Sequence, residues 1–322
     1  MPNHREEPRS NPLRDRARAG DWKGAEKILL ALGASAANQA RDADDRGNSA
    51  LMWAALRGRL DMIRLLLPFS DPLAANGEGR TALMLAAQNA TVECVEALLP
   101  ASDARARDRE GLTALMHAAK RLDPGCALAL LPRSDAMALD KQRRSALHHA
   151  CMGSADRSAC VKRLLPHSSV NAQDSAGETA LSIAAMRGLA TSAGILAQVA
   201  NARLVSARGH SALMRAVQKG HASLVAILAP VSDHAQRDHE RGETAFEMTL
   251  SPRHLRLPLT ELLAPYAKPA ELAAALARHG NVALPACAAS LEAHALAEQM
   301  GLRRTNGECV EAPRLRKRAR SL

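Results

Sequence analysis

The stretch Gly111-Leu112-Thr113-Ala114-Leu115-Met116-His117-Ala118-Ala119 recurs in close copies along most of the chain. Aligned on the leucine, the copies fall at Leu51, Leu83, Leu115, Leu147, Leu181 and Leu213, with Phe246 in the same place in a seventh. The intervals are 32, 32, 32, 34, 32 and 33 residues. A fixed period of this size, with each unit too small to bury a core alone, dictates a stack in which every unit packs on its neighbours. The 322 residues therefore count repeats rather than globular domains.

Hydrophobic residues make up 47% of the chain and aromatic residues 2%, so the core must be built from Ala, Leu and Met, which suit closely packed helices. No apolar run reaches the roughly 18 to 20 residues of a membrane span, and Met1 to Arg18 is charged without an apolar signal segment. The six cysteines, Cys94, Cys126, Cys151, Cys160, Cys287 and Cys309, form no C-x-x-C pair and no tight cluster. That spacing argues against a zinc motif and a disulfide framework. The expectation is a soluble, monomeric protein of the cytoplasm with no transmembrane segment.

Met1 to Ser10 is polar and charged and is expected to be a disordered lead-in. From Asn11 the pattern turns helical: Asn11 caps, Pro12 suits the first helical position, and Leu13, Ala17, Ala25, Ile28 and Leu29 recur at helical spacing around Gly20-Asp21. This more polar pair suits the water-facing end of a stack. Repeats then start near Asp44, Asn76, Asp108, Asp140, Asp174, Ser206 and Asp238, each with a turn such as Asp108-Arg109-Glu110-Gly111. In these turns Asp or Asn bonds its own backbone and Gly accepts positive φ. Arg143 breaks the glycine rule, so its turn is either strained or of another type. Ser49, Thr81, Thr113, Ser145, Thr179, Ser211 and Thr244 follow the turns as N-caps, each worth about 1 kcal/mol. Pairs such as Ala86-Ala87 and Ala184-Ala185 let the first helices approach closely. A second helix, as in Met62, Ile63, Leu65, Leu66 and Leu67, is predicted to stop at Pro68, Pro100, Pro132, Pro166 and Pro230, since proline lacks the amide and disfavours helix in the residue before it.

Turn-Gly, Thr-x-Leu, Ala-Ala and a Leu-Leu helix end, repeated in register, make residues 11 to 266 resemble ankyrin repeats. The resemblance implies an all-α solenoid of stacked helix-turn-helix units with capping helices at both ends. It departs from the family where Ala50, Ala82, Ala114, Ala146, Ala180, Ala212 and Ala245 replace a proline, and where Met52, Met84, Met116 and Met214 replace a histidine. Losing that histidine's bridging bonds is expected to loosen the loops. The fourth repeat is two residues longer around Gly153 to Ser158, and Pro252 and Pro258 interrupt the seventh. Residues 267–312 are expected to form a helical cap, with helices over 269–279 and 285–300, and 313–322 a disordered basic tail. The Ala- and Arg-rich composition suggests a bacterial source, and regulator, immunity factor and secreted effector all fit such a scaffold.

Cys94, Cys126 and Cys160 fall on core positions of the second helix, and Cys151 replaces a small alanine. His117 and His149 occupy equivalent places in adjacent repeats, but no carboxylate completes a metal set at ligand spacing. No phosphate loop, nucleophile elbow, His-Glu-x-x-His or dinucleotide fingerprint occurs, so neither enzyme activity nor a cofactor is expected. The formal net charge of +10 turns attention to the surface. Partners of ankyrin-like proteins meet the loop tips and first helices. Here those positions carry Arg46, Arg80, Arg109, Lys141, Arg144 and Arg208 on loops and Arg57, Lys120, Arg121, Arg187 and Lys219 on helices, against Asp45, Glu78, Glu110 and Glu178. Leu56, Leu112 and Met186 offer apolar contacts, and Trp53 sits where either core or groove is open. The leading expectation is a non-catalytic scaffold whose basic concave face binds an acidic protein partner. The alternative is nucleic acid or anionic membrane held through Arg314 to Arg320, a run that could also direct nuclear import in a host cell.

Overall fold

In the computed structural model, which describes residues 11–89, 91–250, 257–279 and 285–299, the chain is helical and forms no strand among the described residues. Its contacts divide it into two compact units, Met1–Ala200 and Asn201–Leu322. The expected lead-in over 1–10, the basic tail over 313–322 and Cys309 lie outside the described residues.

The first unit opens with α1 (Pro12–Ala19), α2 (Trp22–Leu32) and α3 (Ala36–Arg41). Asn11 caps α1 through its side chain, and its amide donates to Gln39 O at 2.8 Å. Buried Arg14 ties α1 to the following loop, donating to Ala43 O at 2.8 Å and pairing with Asp42. Five helix pairs follow. The first helices are α4 (Ala50–Leu56), α6 (Ala82–Asn89), α8 (Ala114–Ala119), α10 (Ala146–Cys151) and, in the fifth repeat, α12 (Ala180–Arg187). The second helices are α5 (Leu60–Leu66), α7 (Val92–Leu98), α9 (Gly125–Leu130), α11 (Ser158–Leu164) and α13 (Ala190–Ala197). First helices pack on first helices and second on second down the unit. The seam is made of residues with almost no surface left, such as Leu51, Leu83, Leu115, Leu147, Ala86, Ala87, Ala118 and Ala119, each fully buried. Alanine pairs bring the axes close, which is how a chain nearly without aromatics fills its interior.

Hydroxyl caps hold the first helices where the pattern places them: Ser49 accepts from Met52 N at 3.3 Å, Thr113 from Met116 N at 3.4 Å and Thr179 from Ser182 N at 3.2 Å. The second helices end differently from the expectation. Leu67, Leu99, Leu131 and Leu165, each before a proline, remain in right-handed helical conformation, and the chain tightens there into the 3₁₀ turns Leu67–Phe69, Leu99–Ala101, Leu131–Arg133 and Leu165–His167. The missing proline amide therefore ends each helix, without displacing the preceding residue.

Loops are joined through backbone. Gly77 N donates to Arg46 O at 2.7 Å, Arg109 N to Glu78 O at 2.9 Å, Lys141 N to Glu110 O at 3.0 Å and Ser175 N to Gln142 O at 2.8 Å. This ladder joins five consecutive turns without the histidine whose loss was expected to loosen them. In the fourth repeat a histidine does hold that place. His148 Nδ1 accepts from Ser145 N at 3.2 Å, which leaves Nε2–H to donate to Glu178 O of the next turn at 3.2 Å. Gly79 shows why the turns want glycine: its φ is +78°, and a Cβ there would lie 2.8 Å from Arg109 N.

The second unit holds α14 (Ala212–Lys219), α15 (Ala222–Leu228), α16 (Ala245–Thr249), α17 (Leu257–Leu263), α18 (Pro269–His279) and α19 (Pro285–Gln299). α14 packs on α15 and α16, and α19 packs on α17 and α18 around buried Leu272, Ala275 and Cys287.

The fourth turn settles the question posed by Arg143. Asp140 Oδ1 accepts from Gln142 N and Arg144 N, and Arg143 N donates to Asp140 O, the same bonds as in the Asp108 turn. Arg143 adopts φ +62°, the left-handed region, so the turn is of the common type and strained. Arg143→Gly is expected to stabilise the protein by about 0.5–1 kcal/mol, read as a higher urea midpoint. A lower midpoint would mean that the Arg143 side chain contributes more than its backbone strain costs.

Candidate protein-binding face

Each first-unit turn begins with Asp or Asn, and that side chain builds the face. One oxygen accepts from the amides two and four residues on: Asp44 from Arg46 and Asn48, Asn76 from Glu78 and Arg80, Asp108 from Glu110 and Leu112. In three repeats the other oxygen reaches the first helix nine residues on. Trp53 Nε1 donates to Asp44 at 3.1 Å, His117 Nε2 to Asp108 at 3.0 Å and His149 Nε2 to Asp140 at 2.9 Å. Trp53 is thus half-buried, core on one side and groove on the other.

Burial lowers the pKa of His117 and His148. For His149, burial and then the Lys120 charge bring it down to about 4 despite Asp140. These imidazoles are neutral structural donors. Burial also pushes the Cys151 thiol up to about 12 and that of Cys160 to about 11, so neither is a nucleophile near neutral pH. No group of three metal-ligating side chains forms among the described residues.

The residues singled out from the sequence divide into free and engaged sets. Arg57, Arg109, Lys141 and Arg187 are exposed and have no ion pair among the described residues, although Arg57 lies over the Trp53 ring at 6.0 Å. Lys120 is exposed at the end of α8. Met186 is half-buried. Arg80 pairs with Glu78 and donates to Gln88 Oε1 at 3.3 Å. Arg121 donates to Gln88 O at 3.0 Å, closing the last turn of α6 from the next repeat. Arg144 donates through Nε to Asp140 at 2.9 Å and through Nη2 to Gln142 Oε1 at 2.8 Å. Leu112, expected as an apolar contact, is 8% exposed and packs inward beneath its turn. Arg208, paired with Glu240 at 3.5 Å, and Lys219 are exposed on the second unit.

Two clefts open on this face of the first unit. One, of about 390 Å³, is lined by Trp53, Leu56 and Leu85 with Arg46, Arg80 and Glu78 among others. The other, of about 310 Å³, is lined by Lys120, Arg144, His149, Met152, Gly153 and Arg157. Sequence reasoning missed Arg157 and Leu85 as site residues. The available signal for Arg157 was the longer fourth repeat, whose extra residues carry it there.

Family models of ankyrin repeats, each spanning three copies, match residues 17–108, 69–138, 89–174, 115–204 and 154–238. Together they span well over half of the chain, which belongs to the ankyrin-repeat family. Among solved structures the chain is similar to the human ASB11 ankyrin repeat domain, at 25% identity and a TM-score of 0.59, over 68% of this chain and 98% of that one. No curated protein matches it.

The lowered His149 pKa makes stability depend on pH. The unfolded chain takes up a proton here near 6.5 and the folded one only near 4. Stability therefore falls as pH drops through that window and levels off below it. Between about pH 7.5 and 5 the His149 share is roughly 2 kcal/mol. His149→Gln keeps a donor for Asp140 without titrating, and it is expected to flatten the pH dependence of the urea midpoint. An unchanged slope would show that His149 titrates alike in both states.

Proposed function

We propose that this chain is a non-catalytic scaffold that holds an acidic segment of a partner protein along the loop and first-helix face of its first unit. Ankyrin repeats are in general protein-binding scaffolds, and the arrangement of charge supports the finer reading. The observation that carries it is that Arg57, Arg109, Lys141 and Arg187 stand exposed on this face with no carboxylate paired to them among the described residues, joined by Lys120 beside the 310 Å³ cleft. Exposed cations of one sign steer an acidic partner and set its register more than they add affinity.

The two clefts give the segment its footing. They lie two repeats apart, roughly 20 Å by ordinary helix spacing, which an extended segment crosses in about six residues. An apolar side chain fits against Trp53, Leu56 and Leu85, with Met186 further along the face, and acidic groups meet the cations. Arg121 and Arg80 support the face rather than the ligand, since their guanidinium groups already hold Gln88. In this reading Arg208 and Lys219 extend the basic character to the second unit. The monomer acts in the cytoplasm. The five described cysteines are free thiols and no helix among the described residues is long and apolar enough to cross a membrane.

The test is retention on an immobilised Glu/Gly peptide, with a Lys/Gly peptide as control. The variant carrying Arg57→Glu, Arg109→Glu, Lys141→Glu and Arg187→Glu leaves the turn carboxylates and Gln88 contacts untouched. It is expected to bind the acidic peptide at least about 30-fold more weakly, each exposed charge contributing about 0.5 kcal/mol, and wild-type binding is expected to weaken with salt. Retention unaffected by the four reversals would sink the assignment.

A further inference from the structure

We infer that the cleft between the third and fourth repeats selects a phosphorylated serine or threonine of the partner over a carboxylate side chain, an assignment that rests on this face being the one that binds an acidic segment. Lys120 at the end of α8, Arg144 from the turn before α10 and Arg157 from the connection after it line this cleft with His149, Met152 and Gly153. No carboxylate lines it. Asp140 touches Arg144 from behind, but its Oδ1 accepts from the Gln142 and Arg144 amides, and its Oδ2 from Arg144 Nε and His149 Nε2. Asp108 is likewise engaged by His117 and by its own turn amides. Asp156, next to Arg157 in sequence, accepts from Thr191 N and from Ser192 Oγ at 2.5 Å, capping α13.

Three lining cations against the one carboxylate in direct contact leave an excess of two positive charges. A phosphomonoester carries about −1.5 to −2 near pH 7, whereas a carboxylate carries one negative charge and a phosphodiester one per linkage. The cations are also crowded. Burial first and then Arg144 lower the Lys120 pKa, although Asp108 and Asp140 act the other way. A dianion relieves that crowding in full and a carboxylate only in part.

The geometry is prepared for such a group. Arg144 is oriented by Asp140 and Gln142, so its fork needs little ordering when an oxyanion arrives. Arg157 is brought in by the two-residue lengthening of this repeat and donates through Nη1 to Ala155 O at 3.2 Å. Its guanidinium lies over Gly153, where a Cβ would collide with it. No Phe, Tyr or Trp lines the cleft, and the His149 ring is 2% exposed, so no open aromatic face is offered for a nucleic-acid base to stack on.

The experiment titrates the whole protein, followed by backbone amide NMR, with four probes: a short Gly/Ala peptide carrying one central phosphoserine, its glutamate counterpart, oligothymidylate and inorganic phosphate. The phosphoserine peptide is expected to shift the amides around Lys120, Met152 and Gly153 and to bind about tenfold more tightly than the glutamate peptide. Arg157→Gln and, independently, Gly153→Ala are expected to bring that ratio towards one while the thermal melt stays cooperative. Equal affinity for the two peptides in the wild-type protein overturns phosphate selection and leaves the acidic-segment reading standing. Binding of neither peptide removes both. Oligothymidylate bound as tightly as the phosphopeptide overturns the assignment in favour of nucleic acid, and inorganic phosphate competing on equal terms with the peptide overturns it in favour of a free anion.

Discussion

A single side-chain oxygen at the first position of each turn governs the rest of the first unit. In Asp44, Asn76, Asp108, Asp140 and Asp174 it accepts from amides two and four residues downstream. That bracket closes the turn, points the next carbonyl at the following repeat and delivers the hydroxyl cap to its helix. Once the turn is rigid, Arg46, Glu78, Glu110 and Gln142 present their carbonyls to the next turn at nearly constant distance. Stacking of the loops follows from a local hydrogen-bond choice. The backbone ladder recurs between every pair of these turns, and side chains add bridges only locally, as Asn76 does to Asn48 and His148 to Glu178 O.

The second carboxylate oxygen is where individuality enters. Asp44, Asp108 and Asp140 extend it to Trp53, His117 and His149, fastening loop to helix. Asp140 also takes Arg144, so one buried carboxylate stabilises a turn, keeps a histidine in place and orients a cation at the surface. Regular repetition makes the platform, and its interruption makes the distinctive cleft. The longer fourth repeat sends Asp156 forward to cap α13 and Arg157 back towards Lys120 and Arg144.

Much of the fold was legible because it follows from near neighbours in sequence. Period, turn residues, hydroxyl caps, alanine pairs and buried cysteines all express contacts within about ten positions or at one repeat length. The helices at Pro269–His279 and Pro285–Gln299 were readable for the same reason. The site was only partly legible. Arg121 and Lys120 are neighbours in sequence just past the end of α8, yet Arg121 turns to the Gln88 carbonyl of the preceding repeat while Lys120 faces the cleft. Leu112 sits one residue from exposed turn positions and is buried all the same, because the closed turn folds it inward.

The sequence by itself determined that this chain is a stack of ankyrin repeats, since each repeat's turn, caps and apolar spacing act locally and recur in register. It also determined that positive charge would crowd the loops and first helices. Only the tertiary structure decided which of those charges are available. A guanidinium is available or engaged according to which carbonyl or carboxylate lies within about 3 Å of it. For Arg80 and Arg144 that neighbour is close in sequence, whereas for Arg121 it is Gln88 of the preceding repeat, brought there by the stacking distance, and Arg157 reaches its cleft through the two-residue lengthening at Gly153 to Ser158.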